Sequence, residues 1–126
     1  MKNKQVKEWF IQSDYDLETA YAMLKTGRFV YCIFMCHLTV EKALKGLIVK
    51  KFNKVPSKIH NLIFIADELD LVMTEDQLKF IYKLNALSIT TRYPDELKKL
   101  IKVYNLETTE QILNNTKKIH QWIKKQ

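Results

Sequence analysis

The chain has 126 residues, of which 47% are hydrophobic and 28% are charged, a balance typical of one soluble globular domain. Gly and Pro number only two each, and so few turn residues argue against a many-stranded sandwich or barrel and favour long helices. The net charge is +7, and the interval between Glu41 and Asp67 contains lysines but no acid. Such basic stretches form either solubilising helix surface or a surface that attracts nucleotides, nucleic acid or an acidic protein.

The distribution of apolar residues and cysteines predicts a cytoplasmic protein. The N-terminal sequence MKNKQVKEWF lacks the apolar core of a signal peptide. The most apolar run, residues 29–49, carries three charged side chains, which a membrane span rarely tolerates. Cys32 and Cys36 are the only cysteines, and no second Cys or His pair completes a zinc site, so free buried thiols are expected.

Two long helices are predicted in the first half of the chain. Apolar and small residues recur at alternating spacings of four and three from Val6 to Leu24, and Gly27 ends this first helix. The second helix runs from about Arg28 to Phe52. Because its apolar residues cover more than one side, it is expected to be central or to face a partner subunit.

The second half predicts shorter helices. After the loop with Pro56, a third helix is expected from about His60 to Leu69, and Thr74 with Gln77 forms a capping box that opens a fourth helix. The apolar residues that this fourth helix carries are Leu78, Ile81, Tyr82 and Leu84. This helix is expected to end before Pro94.

One segment in the C-terminal part of the chain can be interpreted in two ways. Residues 95–107 fit either a short helix or an ordered loop, and Thr108 with Gln111 is expected to cap the last helix. No internal repeat or linker occurs, so residues 1–126 are interpreted as a single all-α domain, an up-and-down bundle of four or five helices.

The second helix carries polar residues that suggest a site. His37, Glu41 and Lys45 are spaced by four and share one helical face. The order Glu41 then Lys45 suits an ion pair at a surface or a subunit interface, which is the ordinary structural role. Di-metal bundles need repeated Glu-x-x-His sets, and the chain has one candidate pair, so no metal and no cofactor are predicted.

Three further side chains are candidates for ligand contact. His60 follows the Pro56 loop, where capping or loop packing is the ordinary role of a histidine. Arg92 closes the fourth helix in TTRYPDE, where it suits the helix dipole but also offers a planar fork to phosphate or carboxylate. Tyr93 either packs at the helix end or stacks on a base.

Taken together, these segments resemble a known family. SDYDLETAY near the start, EKALK at 41–45, KIHNL at 58–62 and TRYP at 91–94 are similar in order and spacing to the HEPN domain family, a nucleotide-binding domain of higher eukaryotes and prokaryotes. The resemblance spans nearly the whole chain. It implies a bundle of four or five helices, a homodimer, and pairing with a minimal nucleotidyltransferase in a toxin–antitoxin-type module.

The resemblance also selects residues and separates two activities. The matching polar positions are Glu41, Lys42, Lys45, His60 and Arg92, and together with Tyr93 they are proposed as ligand-binding. Many HEPN proteins are ribonucleases that use an Arg followed within four to six residues by a His, and this chain has no such pair. The prediction is therefore a non-catalytic module that binds a nucleotide or polyphosphate. The alternatives are a ribonuclease with a non-standard base such as His60, or a structural dimer or scaffold.

Overall fold

The molecule is an all-α bundle with one long central helix. The structure, a computed structural model, describes the backbone of residues 2–90 and 94–126 and the side chains of those residues outside 90–97. The described residues form six helices and no strand. The helices are α1 (Lys2–Lys25), α2 (Phe29–Phe52), α3 (Leu62–Leu69), α4 (Glu75–Thr90), α5 (Pro94–Val103) and α6 (Leu106–Lys124).

Helix α2 forms the centre of the bundle, as its wide apolar face predicts. It is buried from Val30 to Val49 on most sides and contacts α1, α3, α4, α5 and α6. The core that surrounds it includes Leu44, Leu62, Leu84 and Leu113, which are all fully or almost fully buried. A charged residue in the middle of α2 is therefore forced to find its partners inside the protein.

Two small residues set the antiparallel packing of α1 against α2. Ser13 donates a hydrogen bond of 2.8 Å to the carbonyl oxygen of Thr39. Nearer the C-terminus of α2, a Cβ at Gly46 would lie 3.2 Å from the Cβ of Trp9 and from a ring carbon of Phe10. The missing side chain at Gly46 therefore allows α1 to lie directly on α2.

The helix boundaries confirm some predictions and correct others. The capping box is confirmed, because the Thr74 and Gln77 side chains and backbone amides exchange hydrogen bonds of 2.9 and 3.1 Å. Helix α6 starts at Leu106 rather than at the predicted Thr108 cap, since the side chain of Asn105 accepts from the backbone amide of Thr108. Asparagine at this upstream position makes the better cap because its carbonyl reaches that amide.

The described residues form six helices, one more than the four or five that the sequence predicted, and the additional helix lies in the C-terminal half. The segment 95–107, which suited either a short helix or an ordered loop, is helical up to Val103, where α5 ends. Of the four apolar residues assigned to the fourth helix, Ile81 and Leu84 are buried, whereas Leu78 and Tyr82 are 42% and 55% exposed. None of the described helices is long and apolar enough to cross a bilayer.

Candidate functional site

Three charged or titratable side chains of α2 lie inside the protein on one helical face. His37, Glu41 and Lys45 are 1%, 4% and 5% exposed. Lys45 Nζ donates to Glu41 Oε2 over 3.1 Å, and His37 Nδ1 lies 3.6 Å from Glu41 Oε1. The Glu41–Lys45 ion pair is therefore buried, whereas the spacing alone also permits a solvated pair on the protein surface. Burial of both charges is tolerated because each neutralises the other.

The fourth member of this cluster comes from the loop before α3. His60 Nδ1 lies 3.0 Å from Glu41 Oε2, and its side chain is 58% exposed while that of Glu41 is 5% exposed. An ionised carboxylate only accepts hydrogen bonds, so Nδ1 must carry the proton and donate. In neutral His60 the lone pair then lies on Nε2, the nitrogen that Glu41 does not bind. Glu41 thus fixes both the tautomer and the orientation of a half-exposed imidazole.

A small pocket adjoins this histidine. It has a volume of about 100 Å³ and is lined by His37, His60, Asn61, Asn85, Ser88 and Ile89. These residues come from α2, the loop before α3, and α4, so three separate segments converge there. The side chains offer hydroxyl, amide and imidazole groups, which can both donate and accept hydrogen bonds. The pocket is large enough for a few water molecules or one small polar group, since water occupies roughly 30 Å³.

The family comparison agrees with this architecture. The model of the HEPN domain matches residues 6–126. The chain belongs to the HEPN domain family. It also resembles the crystal structure of TT1696 from Thermus thermophilus, with a TM-score of 0.82 and 23% identity over 96% of this chain and 97% of that one. At this identity the likeness shows a shared fold. None of the curated proteins matches the chain.

Within this HEPN chain, the structure brings together only part of the predicted set. Glu41, Lys45 and His60 converge, as described above. Lys42 lies on another side of α2, where its Nζ is 2.7 Å from Asp16 Oδ2 of α1, so it joins the two long helices instead. Arg92 and Tyr93 lie outside the described residues.

Sequence reasoning missed the residues that hold His60 in place. The Asn61 side chain accepts hydrogen bonds from the amides of Ile63 and Phe64, and so caps α3 directly after His60. From α4, Asn85 Oδ1 accepts from the amide of Leu62 over 2.9 Å. Asn85 is only 7% exposed, and a buried asparagine inside an apolar helix is a poor helix former. An asparagine among apolar residues in KLNAL, residues 83–87, was therefore the sequence signal that could have identified this position.

A second carboxylate–histidine pair joins α1 to α6. His120 Nε2 lies 3.2 Å from Asp14 Oδ1, and Lys124 Nζ donates to the two Asp14 oxygens over 2.9 and 3.2 Å. Burial lowers the pKa of His120, Asp14 raises it, and Lys124 lowers it; the net direction is down because burial is the largest cause. His120 is 4% exposed, so its ring has little surface for a ligand.

The two cysteines have no exposed reactive group. Cys32 and Cys36 are free and buried, as predicted. A hydrogen bond between the two thiols lowers the pKa of Cys32 and raises that of Cys36, and burial adds to the rise at Cys36. A buried thiol with a raised pKa is a poor nucleophile. Among the described residues, no group of His, Cys, Asp and Glu is arranged to hold a metal ion.

Proposed function

We propose that this HEPN chain binds a nucleotide or polyphosphate, with one phosphate group at the His60 pocket, without cleaving it, and acts as a homodimer paired with a minimal nucleotidyltransferase in a toxin–antitoxin-type module. The observation that carries the ligand proposal is the half-exposed imidazole of His60, which buried Glu41 holds by Nδ1 at the rim of a polar pocket. Such preorganisation lowers the entropy lost when a ligand binds.

The charges of the cluster assign different roles to its members. Glu41 and Lys45 neutralise each other, so Lys45 has little charge left for a phosphate and acts by holding Glu41. Attraction for an anion would then come from His60, as a hydrogen-bond donor when protonated, and from Arg92. An arginine fork binds phosphate oxygens in pairs, and Tyr93 next to it suits stacking on a base.

Calorimetry with ATP, ADP and inorganic polyphosphate on the folded wild type tests the ligand proposal. Wild type is expected to bind one of them, and His60→Ala and Arg92→Ala are each expected to weaken binding by tenfold or more. Lys42→Ala is the matched control, because Lys42 pairs with Asp16 on another side of α2 and should bind like wild type. Absence of binding by wild type at millimolar ligand would refute the proposal.

RNA cleavage is the second candidate function, and the Glu41–His60 pair favours it. A histidine with Nδ1 bonded to a carboxylate and Nε2 carrying the lone pair is arranged as a general base. In a fluorogenic RNA-cleavage assay, His60→Ala and Glu41→Gln should both abolish activity while Lys42→Ala should retain it. Equal activity of His60→Ala and wild type would remove His60 from any such mechanism.

The dimer proposal rests on the outer face of α4. Leu78, Tyr82 and Ile89 are 42%, 55% and 54% exposed and share one side of the helix, which gives an apolar strip. Ile89 also lines the His60 pocket, so a second copy packed here would border the pocket. Light scattering of wild type should give a dimer mass, and Tyr82→Asp a monomer that keeps its helical circular dichroism. Copurification with a coexpressed minimal nucleotidyltransferase tests the partner.

If the fold serves only as a scaffold, the same experiments give a different pattern. The dimer and partner complex would persist in His60→Ala and Arg92→Ala, and no nucleotide or RNA would bind. That outcome would replace the ligand proposal with a structural role for the buried Glu41–Lys45 pair.

A further inference from the structure

A second concave site lies at the C-terminal end of α2, between α1 and the loop that leads to His60. This Trp9 groove has a volume of about 240 Å³ and is lined by Gln5, Glu8, Trp9 and Gln12 of α1 and by Val55 and Pro56. Val49 of α2 also lines the groove. The groove shares no lining residue with the His60 pocket, so it is a separate site.

The groove combines an aromatic ring with polar groups that have no partner among the described residues. Within the described part of the chain, the side chains of Gln5, Glu8, Trp9 and Gln12 take part in no hydrogen bond or ion pair. Val55 is 83% exposed beside the partly buried Trp9. A flat apolar surface with amide and carboxylate groups at its edge suits an aromatic heterocycle, which stacks through its face and hydrogen-bonds through its rim.

The surroundings of the groove are basic. At about 100° per residue, Lys2 and Lys4 project to either side of the groove face of α1, and Lys7 projects away from it. Because α1 and α2 are antiparallel, these lysines lie near the C-terminal end of α2, where exposed Lys50 follows Val49. Exposed Lys58 continues the basic surface along the loop towards His60. The groove thus has an acidic and amide interior within a lysine-rich rim.

This arrangement offers one set of groups to the base of a nucleotide and another set to its phosphate. The carboxylate of Glu8 repels a phosphate but accepts hydrogen bonds from the N–H groups of a base, and guanine presents two such groups side by side. The lysines of the rim attract backbone phosphates as point charges without reading sequence. A base enters such a groove only when it is unstacked, so single strands are favoured over duplexes.

We propose that the Trp9 groove is a binding site for one base of a single-stranded RNA, with Trp9 as the stacking platform and Lys2, Lys4 and Lys50 on the flanking phosphates. The strand can continue towards His60, because the four residues from Pro56 to His60 span at most about 14 Å. The site extends the proposed function from a mononucleotide to a polynucleotide, but its binding does not depend on His60.

Tryptophan fluorescence tests the stacking directly. The chain has two tryptophans, so in Trp122→Phe the emission comes from Trp9 alone. Titration with RNA hexamers is expected to quench this emission, with a hexamer that contains a guanosine binding more tightly than oligouridine and than a duplex of the same length. Absence of quenching by every single-stranded hexamer would overturn the proposal, as would stronger binding of the duplex.

Substitutions separate stacking from charge. Stacking on an aromatic side chain changes affinity by roughly 5- to 150-fold per base, so Trp9→Ala should weaken hexamer binding within that range, measured by anisotropy of a labelled RNA. Trp9→Phe keeps an aromatic ring and should retain much of the affinity. Such a result would show that substitution at this position leaves the fold intact. Unchanged affinity of a folded Trp9→Ala would overturn the stacking role.

The charge contribution has its own matched pair of variants. Replacing Lys2, Lys4 and Lys50 by Ala should reduce the slope of log affinity against log salt by roughly 2, at about 0.7 per phosphate contact on a single strand. Replacing Lys83, Lys117 and Lys118, exposed lysines of α4 and α6, changes the net charge equally and should leave the slope close to that of wild type. Equal slopes of the two triple variants would overturn the placement of the phosphates.

Two further controls distinguish this site from others. Lys79→Ala, at an exposed lysine of α4 that pairs with Glu75, should bind the hexamers as wild type does; if His60→Ala loses binding while Trp9→Ala keeps it, the ligand site is the His60 pocket and the groove proposal is wrong. Equally strong binding of a poly-glutamate peptide, competing with RNA and quenching Trp9, would identify an acidic protein as the partner and overturn the RNA assignment.

Discussion

Two carboxylate–histidine–lysine clusters among the described residues are built from the same groups in opposite ways. In the first cluster Glu41 is buried and His60 is exposed, with side chains 5% and 58% accessible. In the second, His120 is buried and Asp14 is exposed, with side chains 5% and 45% accessible. The buried member fixes the geometry and the exposed member meets solvent, so the first cluster presents an imidazole and the second presents a carboxylate with its paired lysine.

This difference assigns separate tasks to the two clusters. A half-exposed imidazole held by a buried carboxylate is available to a ligand, whereas a buried imidazole under a surface ion pair joins helices. Each lysine has an exposure similar to that of the carboxylate it pairs with, since the side chain of Lys45 is 6% exposed and that of Lys124 is 37% exposed. Substitutions that remove one member at a time should therefore affect the two clusters in a graded order.

The largest expected effect is on stability, from Lys45→Met. Removing the ammonium leaves the buried Glu41 carboxylate without its cation, which typically destabilises by roughly 3–5 kcal/mol. Urea denaturation measures this loss, with Lys79→Met as control, because the Lys79–Glu75 pair is 71% and 82% exposed and should contribute about 0.5 kcal/mol or less. A loss below about 1 kcal/mol for Lys45→Met would contradict the view that Glu41 is a buried charge.

The second effect is pH-dependent and belongs to His120. Because burial lowers its pKa in the folded protein below the ordinary value of 6.5, the unfolded chain binds the extra proton first. The stability contributed by this residue is complete above pH 6.5 and declines as the pH falls towards the folded-state pKa. Thermal unfolding from pH 5 to 7.5 should show His120→Gln losing less stability on acidification than wild type. A parallel decline of the two proteins would exclude His120 as the cause.

The sequence predicted the elements of the fold far better than the partners within it. The apolar width of α2 correctly placed it at the centre, and the Thr74–Gln77 box was found because capping depends on residues only three apart. The sequence did not decide between a helix and a loop for α5, because its amphipathic pattern is short and lies next to Pro94. Local signals therefore predicted helices, with errors concentrated at their ends.

The candidate site could be predicted only in part, because it depends on contacts between distant segments. Spacing placed Glu41 and Lys45 on one face, but burial follows from the packing of the other helices around α2. The contact of His60 with Glu41 requires the loop to fold back over 19 residues of chain. Asn85 reaches Leu62 from a separation of 23 residues, and no local pattern specifies such a pair.

A smaller effect on stability, with a larger one on binding, is expected for His60→Ala. Glu41 keeps Lys45 when His60 is removed, so the free energy of unfolding should fall by about 1 kcal/mol, the typical net value of one hydrogen bond. Nucleotide binding at the His60 pocket should fall by tenfold or more, measured by calorimetry as above. The amide of His60→Gln can still donate to Glu41, so this variant should recover the stability. It should not recover nucleotide binding, because it has no imidazole. A destabilisation as large as that of Lys45→Met would mean that His60 is structural.

The smallest expected effect comes from Asp14→Asn, which removes the exposed member of the second cluster. At neutral pH the ion pair with Lys124 is screened by solvent, so the free energy of unfolding should fall by about 0.5 kcal/mol or less. Asp14 raises the pKa of His120, so its loss should lower that pKa further and widen the pH range over which stability is lost. Melting curves at pH 5 and 7.5 should therefore differ more for Asp14→Asn than for wild type, and this extra difference should vanish in the Asp14→Asn, His120→Gln double variant. An extra difference that persists there would show that Asp14 acts on another group, and the second cluster would then be only a surface ion pair beside a buried ring.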